Sequence, residues 1–283
     1  MTKVGIVTDT ISCLTPEKVK EYGIRLVPVS LNINGKPYRD LVDLSPDDFW
    51  KMFPEIKEFN TGAPALAEYT SIFEEVSRTT DSIACTFVSK ALSATYEAAV
   101  QARELFLKEH PNAKIEIIDS RTAAGAQGFV TLEMARAAEA GKSLAEVVQV
   151  ANNMITRVRF VCALETMKLL IKIGRAPKTA YMGELFQVKP IIGMVNNTGL
   201  VENLGRARGM EKTMLKLVEL AGQYLDHDKP AHVFVHYSNS VSDGEHLKEL
   251  VTSKFNCEEL YFTPYSPVMC GAVGPVVAIA FYS

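Results

Sequence analysis

The chain has one tryptophan and five cysteines in 283 residues, and no two cysteines are spaced C-x-x-C. An odd, unpatterned set argues against a disulfide framework or a zinc ribbon. Cys85 and Cys162 sit inside apolar runs, where cysteine serves as a small core residue. The thiols are therefore read as reduced and non-ligating, as in a cytoplasmic protein. Nowhere do about 18 apolar residues run together, so no membrane span is expected, and residues 1–10 lack the apolar centre of a signal peptide. Phosphate-binding signatures are missing too. No glycine-rich loop follows the first apolar run, and G-x-x-x-x-G-K-[ST] is absent. Without G-x-S-x-G there is no nucleophile elbow. The five histidines show metal-like spacing only at His232/His236, with no third ligand beside them, so no metal is expected. A net charge of −3 with scattered basic residues argues against a nucleic-acid partner.

What is present alternates. At 283 residues the chain exceeds one ordinary core of roughly 100–150, which favours two domains. Residues 3–8 form an apolar strand running into Thr8-Asp9-Thr10. Thr15-Pro16 and Ser45-Pro46 signal helix starts. A second strand is expected over 25–32, followed by an Asn34-Gly35 hairpin turn. Residues 60–64 read as a loop opening a helix that reaches about Arg78. Strands at 82–88 and 114–119 precede helices at 94–107 and 123–140, and Ser143 caps a helix to about Arg157. This order implies a mostly parallel sheet covered by helices on both faces, assigned to residues 1–157. Residues 158–283 then supply strands at 160–164, 188–195, 200–204, 232–237, 259–262 and 276–281. Helices are expected at 166–172, 211–224 and 243–254. The Asn197-Thr198-Gly199 turn favours an antiparallel pair and hence a mixed sheet. The predicted class is α/β with two domains.

Loops at the carboxyl ends of parallel strands line the ligand crevice of such sheets. That rule gathers Thr8-Asp9-Thr10, Thr61, Ser89 to Ser93 and Asp119-Ser120 at one edge. Hydroxyls at Ser89, Ser93 and Thr95, where a strand passes into a helix, can cap the helix, accept a proton or donate to an anion. Asp9 stands where aspartyl phosphotransferases carry their nucleophile. Those sites usually add a second acid two residues on, which here is Ile11, and local loop bonding explains Asp9 better. Thr61, Ser93 and Arg175 together suggest neutral donors that hold an anion without transforming it. An enzyme acting on a small carboxylated or phosphorylated metabolite through Asp9 or Asp119 stays open at this point.

Several motifs in order resemble the DegV family, bacterial fatty-acid-binding proteins that serve a fatty acid kinase. They are Thr8-Asp9-Thr10, Leu26-Val27-Pro28-Val29 leading to Tyr38-Arg39-Asp40, Thr61-Gly62-Ala63-Pro64, and Ser89 to Thr95. Asp119-Ser120, Ile173-Gly174-Arg175, Lys189-Pro190-Ile191, Arg206-x-Arg208 and Gly274-Pro275 complete the pattern. The resemblance implies a carrier, not an enzyme, with no catalytic residue and no cofactor. Its ligand would be a long-chain fatty acid whose carboxylate is held by Thr61 and Ser93, with Arg175, Ser89 and Thr95 around the head group. It implies an interdomain apolar tunnel, for which Phe160, Ile191, Met194, Phe262 and Met269 are available. A fatty acid kinase subunit is the implied partner, with Arg206 and Arg208 as a docking patch, and contact with a membrane would be transient. The chain departs from the family at Ala94, for a glycine, and at Ile173, for the first glycine of Gly-Gly-Arg. Gly62 and Ala63 replace polar loop residues, and Ala272 stands where the family often has histidine.

Overall fold

A hydroxyl residue followed by proline opens three helices of this chain. Such a residue can bond the free N–H groups of the first turn, and proline sits where no N–H is needed. In the computed structural model, which describes residues 4–176, 187–226 and 228–283, Thr15 accepts from Lys18 N–H and Ser45 from Asp48 N–H. Ser266-Pro267 opens a third helix, where the sequence pattern suggests none.

The order begins β1 (Gly5–Asp9), α1 (Pro16–Tyr22), β2 (Arg25–Val27), β3 (Ser30–Ile33), β4 (Lys36–Arg39) and α2 (Pro46–Met52). Next come β5 (Phe59–Gly62), α3 (Leu66–Ser77), β6 (Ser82–Phe87), α4 (Thr95–Glu109), β7 (Lys114–Asp119), α5 (Ala124–Glu139) and α6 (Leu144–Arg157). The second half holds β8 (Arg159–Leu164), α7 (Lys168–Lys172), β9 (Val188–Met194), β10 (Val201–Arg208), α8 (Met210–Gly222) and β11 (Ala231–Tyr237). It closes with α9 (Val241–Lys254), β12 (Cys257–Pro264), α10 (Pro267–Val273) and β13 (Val276–Tyr282).

Strands β2-β1-β6-β7 form a wholly parallel sheet. Strands β10-β9-β8-β13-β11-β12 form a mixed one in which only β11 and β12 run parallel. The predicted class therefore holds, with a third, three-stranded antiparallel sheet β4-β3-β5 added to it. That addition corrects two expectations. Residues 25–32 are two strands in different sheets, because Pro28 has no N–H to continue a ladder and the chain leaves the first sheet there. Thr61 lies on β5, opposite Leu31, rather than in a loop. The Asn34-Gly35 turn is formed as expected, both residues holding positive φ (51° and 84°).

Helix α5 explains how the two large sheets fit together. It packs on β1 and β6 from one side and on β8, β11 and β13 from the other. Thirteen of its sixteen residues are buried, and the exposed stripe that an ordinary surface helix keeps is nearly gone. Close approach needs small residues: a Cβ on Gly125 would lie 2.5 Å from His236 Nε2 and from Phe234 Cβ. His236 is itself buried. Its Nε2 accepts the Gly125 N–H at 3.0 Å, which leaves Nδ1 to donate to Thr263 Oγ1 at 2.8 Å. Burial pushes this imidazole down to about 3, so it stays neutral. Although the chain passes from α6 to β8 at Val158, one apolar cluster spans both sheets, from Val4 and Ile6 through Phe129 to Phe160, Ala278 and Tyr282.

Gly125→Ala should therefore cost about 1–3 kcal/mol through overpacking, read as a lower urea midpoint. An unchanged midpoint would show that the two sheets are not held at this spacing by α5.

Candidate functional site

Beyond the first residues of α5 the two large sheets enclose a cavity of ≈ 220 Å³. From the parallel sheet come residues just past its strand ends: Ile11 after β1, Val88, Leu92 and Ser93 after β6, and Ala123 after β7. The small sheet adds Thr61, and the link between β2 and β3 adds Val29. The mixed sheet adds Phe160, Cys162, Ile192, Met194 and Val201, with Leu170 and Ile173 from α7 and its end. Tyr265 and residues of α10 close the remaining side.

Among the described lining residues Arg175 carries the only formal charge. It arrives there through the end of α7. Gly174 takes φ +74°, Gly174 N–H donates to Ile171 O, and Arg175 N–H turns back to Leu170 O at 2.8 Å. This is a Schellman closure, which needs glycine at the left-handed position and nowhere else. Ile173, at φ −88°, therefore costs the backbone nothing, and its side chain joins the apolar lining. The Arg175 guanidinium is half-buried, donates to Ile173 O at 2.7 Å and faces no acid among the described residues. Burial lowers its pKa.

Two aliphatic hydroxyls, Thr61 and Ser93, share this lining with the buried Tyr265 phenol. The Thr61 hydroxyl has no hydrogen-bond partner among the described residues. Ser93 Oγ lies 2.8 Å from Thr95 Oγ1 and accepts the Thr95 N–H at 3.3 Å. With Thr95 donating, the Ser93 proton is free to point into the cavity. Ser93 is not the cap of α4, whose N-cap is Ala94 with no side-chain bond. Ala94, at φ −76°, needs no glycine and lines the cavity, as does Ala272.

The other residues singled out from sequence lie elsewhere. Ser89 is buried outside the lining, donating to Gly199 O at 2.8 Å and so tying the β6–α4 turn to the β9–β10 hairpin. Arg206 and Arg208 are exposed on β10, an edge strand of the mixed sheet. Asp119 accepts the N–H groups of Arg121 (2.9 Å) and Lys90 (3.2 Å). Asp9 is buried behind the wall, accepting from Ile11 N–H, Val88 N–H and the Gln127 amide, each at 2.9 Å. Of the apolar candidates, Phe160, Met194 and Met269 line the cavity, but Ile191 and Phe262 do not. Strand alternation explains both: next to Ile192 and Met194, Ile191 faces α8, and Phe262 stacks on Tyr237 at 4.8 Å. Sequence reasoning misses Tyr265, Val268 and Val273, although Ser266-Pro267 carries the same signal as Thr15-Pro16. Glu74, Glu109 and His110 form a surface cluster outside the lining.

Burial pushes Asp9 and Asp40 up to about 6 each, against the pull of their N–H and hydroxyl donors. Asp40 Oδ1 accepts Val268 N–H at 2.9 Å, while Oδ2 has no partner of good geometry.

The family model for uncharacterised proteins of the DegV family matches residues 3–283. A DegV domain-containing protein of Caldanaerobacter subterraneus is 32% identical over 220 residues, covering 77% of this chain and 76% of its own. One from Clostridium acetobutylicum is 28% identical, covering 99% and 98%. A DegV family protein from Thermus thermophilus, described as fatty-acid binding, superposes with a TM-score of 0.89 at 24% identity, covering 99% of both chains. DegV of Bacillus subtilis, described as a fatty acid binding protein, gives 0.88 at 22% identity, covering 100% and 99%. A stearic acid-binding protein of Eubacterium ventriosum gives 0.89 at 23% identity, covering 99% and 98%.

The raised carboxyls also fix a pH dependence. The folded chain binds protons at Asp9 and Asp40 that the unfolded chain has released, so their stabilisation is complete below about pH 4 and lost as pH rises through about 6. Each contributes on the order of 3 kcal/mol across that range. Urea unfolding of Asp40→Asn should thus show a stability difference from wild type that moves in the variant's favour from about pH 4 to about pH 7. A difference independent of pH would contradict this.

Proposed function

This chain belongs to the DegV family, and from that premise we propose that it binds one long-chain fatty acid in the cavity between its sheets. Thr61 and Ser93 donate hydrogen bonds to the carboxylate. The observation that carries this reading is the composition of the described cavity wall: the half-buried hydroxyls of Thr61 and Ser93, the buried Tyr265 phenol and one guanidinium in a lining that is otherwise mostly apolar. A carboxylate accepts from hydroxyls and from arginine, and charge strengthens each bond. The tail gains about 0.8 kcal/mol for every methylene that leaves water. The fatty acids held by solved DegV proteins support the same reading.

Such a site retains its ligand without transforming it. Of the acids an enzyme would need, Asp9 has both oxygens engaged by backbone N–H groups and Asp119 has its Oδ1 so engaged, and both stand outside the lining. The protein is accordingly a cytoplasmic carrier, and phosphoryl chemistry belongs to a fatty acid kinase. Arg206 and Arg208, exposed on an edge strand, are the surface offered to that acidic partner. Thr95 orients Ser93, Arg175 supplies positive potential, and Ser89 braces the turn from behind. Ala272 gives the head group a methyl where histidine would have offered another polar contact.

Each hydrogen bond to a charged acceptor is worth about 1.5–3 kcal/mol, so Thr61→Ala with Ser93→Ala should weaken fatty-acid retention by roughly 100-fold or more. Native mass spectrometry reads this as loss of the co-purifying acyl mass from a variant whose circular dichroism shows an unchanged fold; full retention would overturn the assignment. Arg206→Glu with Arg208→Glu should leave that acyl mass in place and weaken capture of the kinase, and equal capture would remove the docking role.

A further inference from the structure

Two carboxylates stand directly behind the cavity wall. Ile11, Val88 and Val268 line the cavity, and the backbone N–H of each is held from behind by a buried acid. Ile11 and Val88 donate to Asp9, and Val268 donates to Asp40, all at 2.9 Å. Both acids are 0% exposed. Among the described residues neither forms an ion pair with lysine, arginine or histidine. Asp9 is otherwise bonded by the Gln127 amide of α5, and Asp40 faces the hydroxyls of Thr10 and Ser266.

Among the described residues this charge has no counter-ion beside it. Burial is the main cause that raises the proton affinity of Asp9, and the charge of Asp40 adds to it. The titratable groups packed against them are Tyr69 on α3, Cys13 after β1 and Cys270 on α10, all kept neutral by burial. His236 on β11 is neutral as well. Arg175, across the cavity, is the cation of the described lining. A negative head group entering this space adds a further like charge in a low-dielectric interior, and a proton relieves it. Gln127 offers that proton a partner. Its Oε1 is buried without a hydrogen bond, so a half-turn of the amide would set an acceptor against a protonated Asp9 where Nε2 now donates.

We propose that the Asp9–Asp40 pair makes anion binding in this cavity proton-linked. One proton is drawn from solvent onto the pair as an anionic head group seats, and an anionic amphiphile is held more tightly as the medium acidifies. Linkage fixes the sign, because a ligand that raises a group's proton affinity binds better to the protonated form. The inference rests on the reading that the cavity holds an amphiphile with a negative head. Both acids titrate near about 6, which sets the range in which the effect appears.

The test uses the full chain and two probes with the same tail: dodecanesulfonate, whose charge does not change with pH, and neutral dodecanol. Affinities are measured by calorimetry at about pH 7.5 and about pH 5.5, on either side of the titration. Dodecanesulfonate should gain roughly fivefold or more on acidification, while dodecanol changes by less than about twofold. The sulfonate's gain should be lost in Asp9→Asn and in Asp40→Asn. The two-probe comparison on wild type stands even if a variant fails to fold. A flat sulfonate profile, an equal gain for dodecanol, or an undiminished gain in both variants would overturn the proton linkage and leave ligand binding itself intact. Binding of neither probe at either pH would instead overturn the amphiphile reading, and this inference with it.

Discussion

The structure depends on one helix that has almost no side left for water. Because α5 is covered by the parallel sheet and by the mixed sheet, its small residues set how closely the two can approach. The same constraint creates the cavity. Where α5 fills the gap, the sheets share one continuous apolar cluster. At its start, near Ala123, the gap is walled by strand-end loops on one side and by β8 and β9 on the other. A second, small apolar cluster of Ile11, Val29, Val88, Ala123 and Val268 forms that wall and keeps its own set of contacts.

Charge is distributed around this space with a consistent logic. Buried acids hold the backbone of the wall from behind, while the described lining shows hydroxyls, a single guanidinium and apolar carbon. On the proposed reading, such a lining selects an amphiphile because donors meet its head and unreactive carbon meets its tail.

Much of this is legible in the residues. Parallel strands announce themselves as apolar runs of six or so residues, and Asn34-Gly35 marks a hairpin because it offers two adjacent residues tolerant of positive φ. Thr61 and Ser93 are recognisable as candidate hydroxyls, and the structure places both in one lining. The illegible parts have physical causes. A strand split by Pro28 looks continuous because its side chains keep alternating across the break. Thr61 reads as loop because β5 is short, polar and paired on one side only. Ile191 and Phe262 are as apolar as their neighbours, and only the facing of each strand decides whether they meet the cavity or the outer helices. Helix α10 escapes notice despite a clear start signal, since its seven residues are too few to show a helical period.

The central claim is that one anionic amphiphile lies between the two sheets with its head at Thr61 and Ser93. A crystal structure with a fatty acid brominated at its far end measures this most directly. The account predicts carboxylate density within hydrogen-bond reach of both hydroxyls and a bromine peak along the lining that contains Phe160, Met194 and Met269. A carboxylate bound away from both hydroxyls, or bromine outside this cavity, would contradict it.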